Sequence, residues 1–443
     1  MAEEDEEGRY GRFVGVTKPV SHVAAKKIQA GRINFEGLPC FDPSPYLDPK
    51  TCALYEEPQR FWSSDRSGVP KVQVRAEKGE LLALYQKMAK AGRLLPLAAD
   101  QVDPQLTSGL FAVPKDMLRD RLIMDSRPAN SVEEGANHWT RCAASSVNVT
   151  QLELEASEDL QMSGQDVKDF YYQFSVGPLR LRRNALGTKL SKVELQKIFG
   201  DVVPVPEDGG FVALNTMAMG DIVACEVAQG SHLGVLLQHH CLHPSELLRY
   251  RHPVPRGPFS AGVVIDDLVF LEKVLRVGQT QGGTVADERM ALVLGAYEKV
   301  NLPTNPKKAF YNSTQASFWG VSVDGSKGLV RPNPQRLWPL AIITMRCVML
   351  GVVTLSLLES LVGSWIAIFV LRRRLMCSME LVFSALHCGA GPGHVLRLSE
   401  ELKSEMVGFV LLGMACVCNI RAQTLPVLKA SDAASLRWRR SCR

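Results

Sequence analysis

At 443 residues the chain has room for about two to four domains. A hydrophobic share of 46% and a charged share of 22% exclude a disordered, solvating polymer. The net charge of +5 permits a nucleic-acid partner without requiring one. Eleven cysteines follow no framework spacing, which argues for free thiols in a reducing compartment. The N-terminus, Met1-Ala2-Glu3-Glu4-Asp5-Glu6-Glu7, lacks the basic-then-apolar order of a signal peptide.

Residues 1 to about 40 read as a poorly ordered acidic lead followed by a basic patch of Lys18, Lys26, Lys27 and Arg32. Pro45 to Gly68 mixes Pro, Tyr and Trp with charge, the composition of irregular structure. The spacing of Leu81, Leu82, Leu84, Tyr85 and Met88 predicts a helix over Lys78 to Leu95. Leu110-Phe111-Ala112-Val113-Pro114-Lys115 predicts a strand, and Arg119 to Asn130 contains its returning partner. Lys115 and Arg121 would offer a point charge and a bidentate fork, the pair a polyanion needs; an exposed charged hairpin is the other reading. Asp125 and Arg127 are expected to brace this hairpin.

A strand-like stretch from Leu160 to Tyr172 carries Asp166, Val167, Asp169, Tyr171 and Tyr172, with Tyr172 expected in the core. Arg180, Arg182, Arg183, Lys189, Lys192 and Lys197 then form a basic run, either a solvated face or a contact for template phosphates. Met217-Ala218-Met219-Gly220 opens a helix that continues through Gln229 and His232, with Gln229 nine residues after Gly220. His239, His240, Cys241 and His243 lack a second ligand pair at zinc-finger spacing.

Gly262-Val263-Val264-Ile265-Asp266-Asp267-Leu268-Val269-Phe270 places two adjacent carboxylates between apolar, β-branched runs, which read as paired strands around an Asp-Asp turn. Adjacent ionised carboxylates are costly to bury unless a cation compensates them. A helix follows over Val285 to Val300, with Met290, Val293, Leu294 and Tyr297 expected under a sheet. Lys307 and Lys308 end an Asn-Leu-Pro-Thr-Asn-Pro loop, and Ser317-Phe318-Trp319-Gly320-Val321 reads as a tight turn. Two helices are expected at Leu337–Leu350 and Leu355–Arg374, separated near Gly351. From Cys347 to Leu371 the single charge is Glu359, which leaves two uncharged pieces shorter than the roughly 20 residues of a membrane span. A buried helical face accounts for them better than a membrane.

In this order the motifs resemble a retrotransposon-type reverse transcriptase, an RNA-directed DNA polymerase. Asp166-Val167-Lys168-Asp169-Phe170-Tyr171 resembles the first carboxylate motif, Ile265-Asp266-Asp267 the hairpin with paired aspartates, and Ser317 to Val321 the primer-grip turn. The family's Leu-Pro-x-Gly has Ala218 in place of the proline, its Ser-Pro pair becomes Ala224-Cys225, and Val264 stands where an aromatic is usual. The resemblance implies an α+β right-hand polymerase with fingers, palm and thumb, its antiparallel palm sheet backed by helices. It implies an N-terminal extension over 1–95, fingers and palm over 96–330 and a helical thumb over 331–400. Pro426 to Ser435 resembles the first strand of a ribonuclease H domain, so 401–443 is expected to be a truncated start of one without RNA-cleaving activity.

The implied catalytic residues are Asp166, Asp266, Asp267 and Lys308. Two Mg²⁺ ions, with Mn²⁺ as an alternative, would be held by the three aspartates and the Val167 carbonyl. Nucleotide contacts fall to Lys115, Arg121, Tyr171, Gly220 and Gln229, with Tyr171 as the gate against a ribose 2′-hydroxyl and Lys308 protonating pyrophosphate. The partners are an RNA or DNA template with its primer and deoxynucleoside triphosphates, in the cytoplasm or nucleus of a cell. A catalytically inactive, nucleic-acid-binding remnant is the alternative.

Overall fold

In a computed structural model the described residues are 25–442, apart from 36, 202, 277–282, 388–390, 392, 423–428 and 435–436. The acidic lead and Lys18 lie outside them. Helices mix with antiparallel sheets, and the chain divides into two compact units.

The first unit comprises described residues up to Asp42, Pro49–Ala136 and Tyr171–Ala224. Leu94–Ala98, Gly210–Leu214 and Ala185–Leu190 form an antiparallel sheet with Gly210–Leu214 in the centre. Helices Lys78–Lys90 and Lys192–Phe199 supply Leu84, Tyr85, Met88, Leu195 and Ile198 to its core. Ile28, Ala30 and Ile33 are buried in the same core, so the described part of the expected extension, apart from Pro43–Asp48, belongs to this unit.

Gly109–Pro114 and Asp120–Asp125 pair as the expected hairpin, and Arg127 clasps Asp125 through two hydrogen bonds of 2.7 Å. Tyr172 is buried as expected and donates to the Leu122 carbonyl. Two members of the basic run fit neither expectation, a solvated face or a phosphate contact. Arg180 and Arg183 are buried, paired with Glu133 and Asp221, and Arg180 also donates to the backbone carbonyls of Leu54 and Tyr55. A buried guanidinium needs acceptors for its donors: all three Arg180 nitrogens find them inside the protein, and Arg183 finds them through Nε and Nη2, with Nη1 held only by the charge of Asp221 at 3.3 Å. Arg182, Lys189 and Lys197 remain exposed.

The second unit comprises Pro43–Asp48, Asn137–Phe170 and the described chain from Cys225 onward. Its principal sheet has the order Phe259–Val264, Asp267–Leu275, Glu158–Asp166, Phe310–Ser313. Helix Val285–Lys299 buries Met290, Val293 and Tyr297, whereas Leu294 is exposed. The buried set Ala286, Met290, Val293 and Tyr297 defines the apolar stripe, and Leu294, one step of about 100° past Val293, falls off it. Glu272 accepts from Val285 N and Ala286 N, satisfying donors that the first turn leaves open.

Trp365, Phe369 and Phe409 centre a bundle of helices Pro334–Leu350, Leu355–Phe369 and Glu400–Met414. Gly351 ends the first of these helices in a left-handed conformation, φ 68°. The second stops at Phe369 rather than Arg374, and a 3₁₀ stretch follows with Arg372 non-helical. That kink keeps Leu371 buried while Arg372, Arg373 and Arg374 reach water, and the thiol of Cys418 meets the Leu371 carbonyl. Leu355–Ser378 has the length and apolarity of a membrane span, but Leu358, Leu361, Val362 and Trp365 turn one side of it into the bundle core.

Helix Glu400–Met414, expected in the ribonuclease H-like start, packs against the same bundle through Leu402, Met406, Phe409 and Val410. Of the expected Pro426–Ser435 strand, Pro426, Val427, Leu428 and Ser435 lie outside the described residues; Lys429–Ala434 pairs antiparallel with Arg437–Cys442.

Candidate metal centre on the principal sheet

Apolar side chains fill the sheet interior, and carboxylates collect where the strands end. Leu160 and Met162 alternate along the central strand, and Leu268, Val269, Phe270 and Leu271 are buried along its neighbour. Both strands give way to acids at one end, where Asp166 sits directly opposite Asp267 in the antiparallel register. Val264 is also opposite Asp267, so Ile265 and Asp266 form a two-residue turn. The three carboxylates, two of them 100 and 101 positions after the first, have ligand atoms all within 4.8 Å of one another.

At that distance two ionised carboxylates repel by about 3 kcal/mol at an effective dielectric constant near 20. Burial, and then the charges of Asp266 and Asp166, push the Asp267 carboxyl up to about 7, with Lys308 opposing them. Lys308 Nζ lies 2.5 Å from Asp166 Oδ1, and Asn305 Nδ2 lies 3.2 Å from Oδ2. Burial alone would lower the Lys308 ammonium, but the bond to Asp166 and the charges of all three aspartates hold it above its ordinary value. The Asn305 amide donates to the Asp166 carbonyl, and Lys168 N donates to Pro303 O, fastening the Lys308 loop to the end of the Asp166 strand.

A clamp behind the turn completes the centre. Ile265 has φ 56°, a left-handed conformation unusual for a β-branched residue and worth about 1–3 kcal/mol of strain. A positive φ at the first of two turn residues ordinarily selects glycine in a hairpin of this kind. Here the backbone is held on every side. Ile265 N donates to Gln229 Oε1 at 2.8 Å, and Gln229 Nε2 donates to Val263 O at 3.1 Å. His232 Nδ1 lies 2.6 Å from Ile265 O, His232 Nε2 lies 2.5 Å from the Tyr297 hydroxyl, and Val167 N donates to Asp266 O at 3.0 Å.

Burial depresses the His232 imidazole to about 4, opposed by its bond to the Ile265 carbonyl, so the ring is neutral near pH 7. In the matching tautomer Nδ1–H donates to Ile265 O and the Tyr297 hydroxyl donates to Nε2.

Gln229 was expected at a nucleotide; it is buried with its amide on the hairpin backbone. Asn305, His232 and Tyr297 did not stand out in the sequence. Gln229 and His232, three residues apart and therefore on one side of their helix, carried the missed signal, because buried polar groups need hydrogen-bond partners and this spacing aims both at the same neighbour. Among the described residues the three aspartates are the set of metal-ligating side chains that converges, and His239, His240, Cys241 and His243 form no such set.

The remaining candidates belong to the first unit. Lys115 and Arg121 are exposed on the charged hairpin, and Tyr171 is half-buried in the 3₁₀ turn Phe170–Gln173. Gly220 has φ 113°, and a Cβ there would lie 2.2 Å from the Met124 carbonyl, so both conformation and space require glycine.

Solved structures share this arrangement of elements. The foamy viral protease-reverse transcriptase dRH in complex with double-stranded DNA matches with a TM-score of 0.51 and 12% identity, over 80% of this chain and 51% of that one. The fold is reverse-transcriptase-like. The foamy viral protease-reverse transcriptase in complex with an RNA/DNA hybrid matches at TM-score 0.50 and 12% identity, over 78% of this chain and 38% of that one. Its complex with double-stranded DNA matches at 0.52 and 12%, over 87% and 68%. The chain thus spans about half the length of the first of these proteins. No family model matches the chain, and no curated protein matches it in sequence.

Proposed function

We propose that this chain is a nucleic-acid polymerase of the reverse-transcriptase kind, an RNA-directed DNA polymerase of retroelement type that extends a primer 3′ end with deoxynucleotides. The observation that carries this reading is the approach of Asp166 to Asp266 and Asp267 across the Asp166–Asp267 register pair. The donor set suits Mg²⁺, a hard cation that takes carboxylate oxygens and keeps some of its waters. Asp166, Asp266 and Asp267 would hold two such ions, or Mn²⁺, with the Val167 carbonyl assisting. Bound there, the ions would activate the attacking 3′-hydroxyl and neutralise charge on the triphosphate.

The chain's own groups supply the rest. The Lys308 ammonium holds a proton beside Asp166, where it can be given to departing pyrophosphate. Lys115 and Arg121 bind the triphosphate as a point charge and a fork. Tyr171 bars the 2′-hydroxyl, Gly220 holds a left-handed turn at the templating position, and Gln229 serves the nucleotide site through the hairpin it clamps. The first unit and the principal sheet act as fingers and palm, and the bundle around Trp365, extended by Glu400–Met414, acts as the thumb. The RNA/DNA hybrid and double-stranded DNA named for the neighbours support a template–primer partner here.

The test is primer extension on an RNA template with Mg²⁺, comparing the native chain with Asp266→Asn. Extension is expected from the native chain alone. Equal products from both would remove the polymerase assignment.

A further inference from the structure

The turn that presents Asp266 is strained, and three of its backbone groups are tied down from behind. Gln229 takes the Ile265 amide, Val167 takes the Asp266 carbonyl, and His232 takes the Ile265 carbonyl. The first two tethers come from the hairpin's own surroundings in the sheet and from the resemblance-matched Gln229. The third is of a different kind: a fully buried imidazole, itself oriented by a tyrosine hydroxyl on another helix. The Ile265–Asp266 peptide is the unit whose rotation swings the Asp266 Cα–Cβ bond, so whatever holds the Ile265 carbonyl also sets where the Asp266 carboxylate points.

An imidazole can make this contact in one tautomer and oppose it in the other. With the proton on Nδ1 it donates to the carbonyl; with the proton on Nε2 it sets a lone pair against a lone pair. The Ile265 carbonyl, an acceptor only, selects the first, and the Tyr297 hydroxyl completes it by donating to Nε2. Phe170 and Tyr297 flank the ring, with centroids 5.6 Å away in each case. Ionisation is suppressed by burial, so the tautomer is the variable that matters.

We propose that His232 and Tyr297 are positioning residues for the metal centre: Tyr297 satisfies Nε2 and holds the ring in place, and His232 holds the Ile265 carbonyl so that Asp266 faces Asp166 and Asp267. The inference rests on the metal-binding reading of the three aspartates, and it makes metal affinity depend on a hydroxyl that touches neither metal nor substrate.

The test is Mn²⁺ binding, followed by electron paramagnetic resonance of the free ion, on the native chain, Tyr297→Phe, His232→Asn and His232→Ala, each with a thermal melt. Asparagine can place its Nδ2 near the position of imidazole Nδ1 and keep the donor to Ile265 O. Tyr297→Phe and His232→Ala are expected to weaken Mn²⁺ by about five- to tenfold, and His232→Asn to stay within about twofold of native. If His232→Ala does not fold, the other two variants decide. A native chain that binds Mn²⁺ beside a folded Tyr297→Phe of equal affinity overturns the positioning role alone. A folded native chain without Mn²⁺ binding overturns the metal centre and the positioning role with it.

Discussion

Lys308 reaches Asp166 directly, its Nζ 2.5 Å from Oδ1, so the most buried of the three clustered carboxylates already carries a positive charge against it. A divalent cation at Asp166 Oδ1 has to share that oxygen or displace the ammonium. The same contact that keeps a proton close to the chemistry therefore competes with metal.

Lys308→Ala separates the two effects. Turnover in primer extension is expected to fall by about 10²-fold through loss of a proton donor. Mn²⁺ affinity is expected to hold or rise, because a competing charge is gone. A loss of both together would make Lys308 a prop of the site rather than a proton donor.

The raised Asp267 carboxyl fixes a pH dependence. Its ordinary value is 3.8 and burial with Asp266 and Asp166 lifts it to about 7. Between those values the folded chain holds a proton that the unfolded chain has lost, so this group's contribution to stability falls as pH rises through the window. In metal-free buffer, melts from pH 4 to 7 are expected to favour Asp267→Asn increasingly over the native chain. Excess Mg²⁺ at pH 7 should stabilise the native chain, and affinity for the ion should weaken below pH 7 as the proton competes. A native-minus-variant difference that does not change with pH would refute the assignment.

The sequence carried the acids, their order and the short strands around them, because an apolar, β-branched run broken by Asp-Asp has few structural solutions. It carried Asp125–Arg127 and the buried Tyr172 for similar local reasons. It did not carry the role of Gln229, whose spacing from Gly220 suggests a nucleotide contact while its amide is spent on Val263 and Ile265. Nor did it carry Asn305 on Asp166, a contact spanning 139 residues. A linear pattern records which side chains a face presents. It does not record which acceptor a buried polar group finds once distant segments meet.

Tyr171 tests the sugar-discriminating role. It is the first Tyr of its pair and half-buried, whereas Tyr172 is buried and donates to the Leu122 carbonyl. Tyr171→Ala is expected to admit ribonucleotides in extension assays, lowering the preference for deoxynucleotides by about 10-fold or more, as the loss of roughly 1.4 kcal/mol of discrimination would. Unchanged discrimination would place the gate elsewhere.

Neighbouring arginines in the basic run make the sharpest contrast. Arg183 is buried against Glu133 at 2.8 Å and Asp221 at 3.3 Å, while Arg182 faces water. Burial works against ionising Asp221, but the charges of Arg183 and Arg180 outweigh it and hold the carboxyl below its ordinary range. Removing one cation from such a network strands a buried carboxylate, so Arg183→Met is expected to cost about 3–5 kcal/mol in urea unfolding. Arg182→Met should move stability by no more than about 0.5 kcal/mol. Binding to a template–primer duplex should reverse the ranking. If Arg182 meets a phosphate, its loss lowers the slope of log affinity against log salt by about 0.9. Folded Arg183→Met should leave that slope alone, because its guanidinium is already committed to protein carboxylates. A slope that changes with Arg183 and not with Arg182 would mean that the buried network opens when nucleic acid binds.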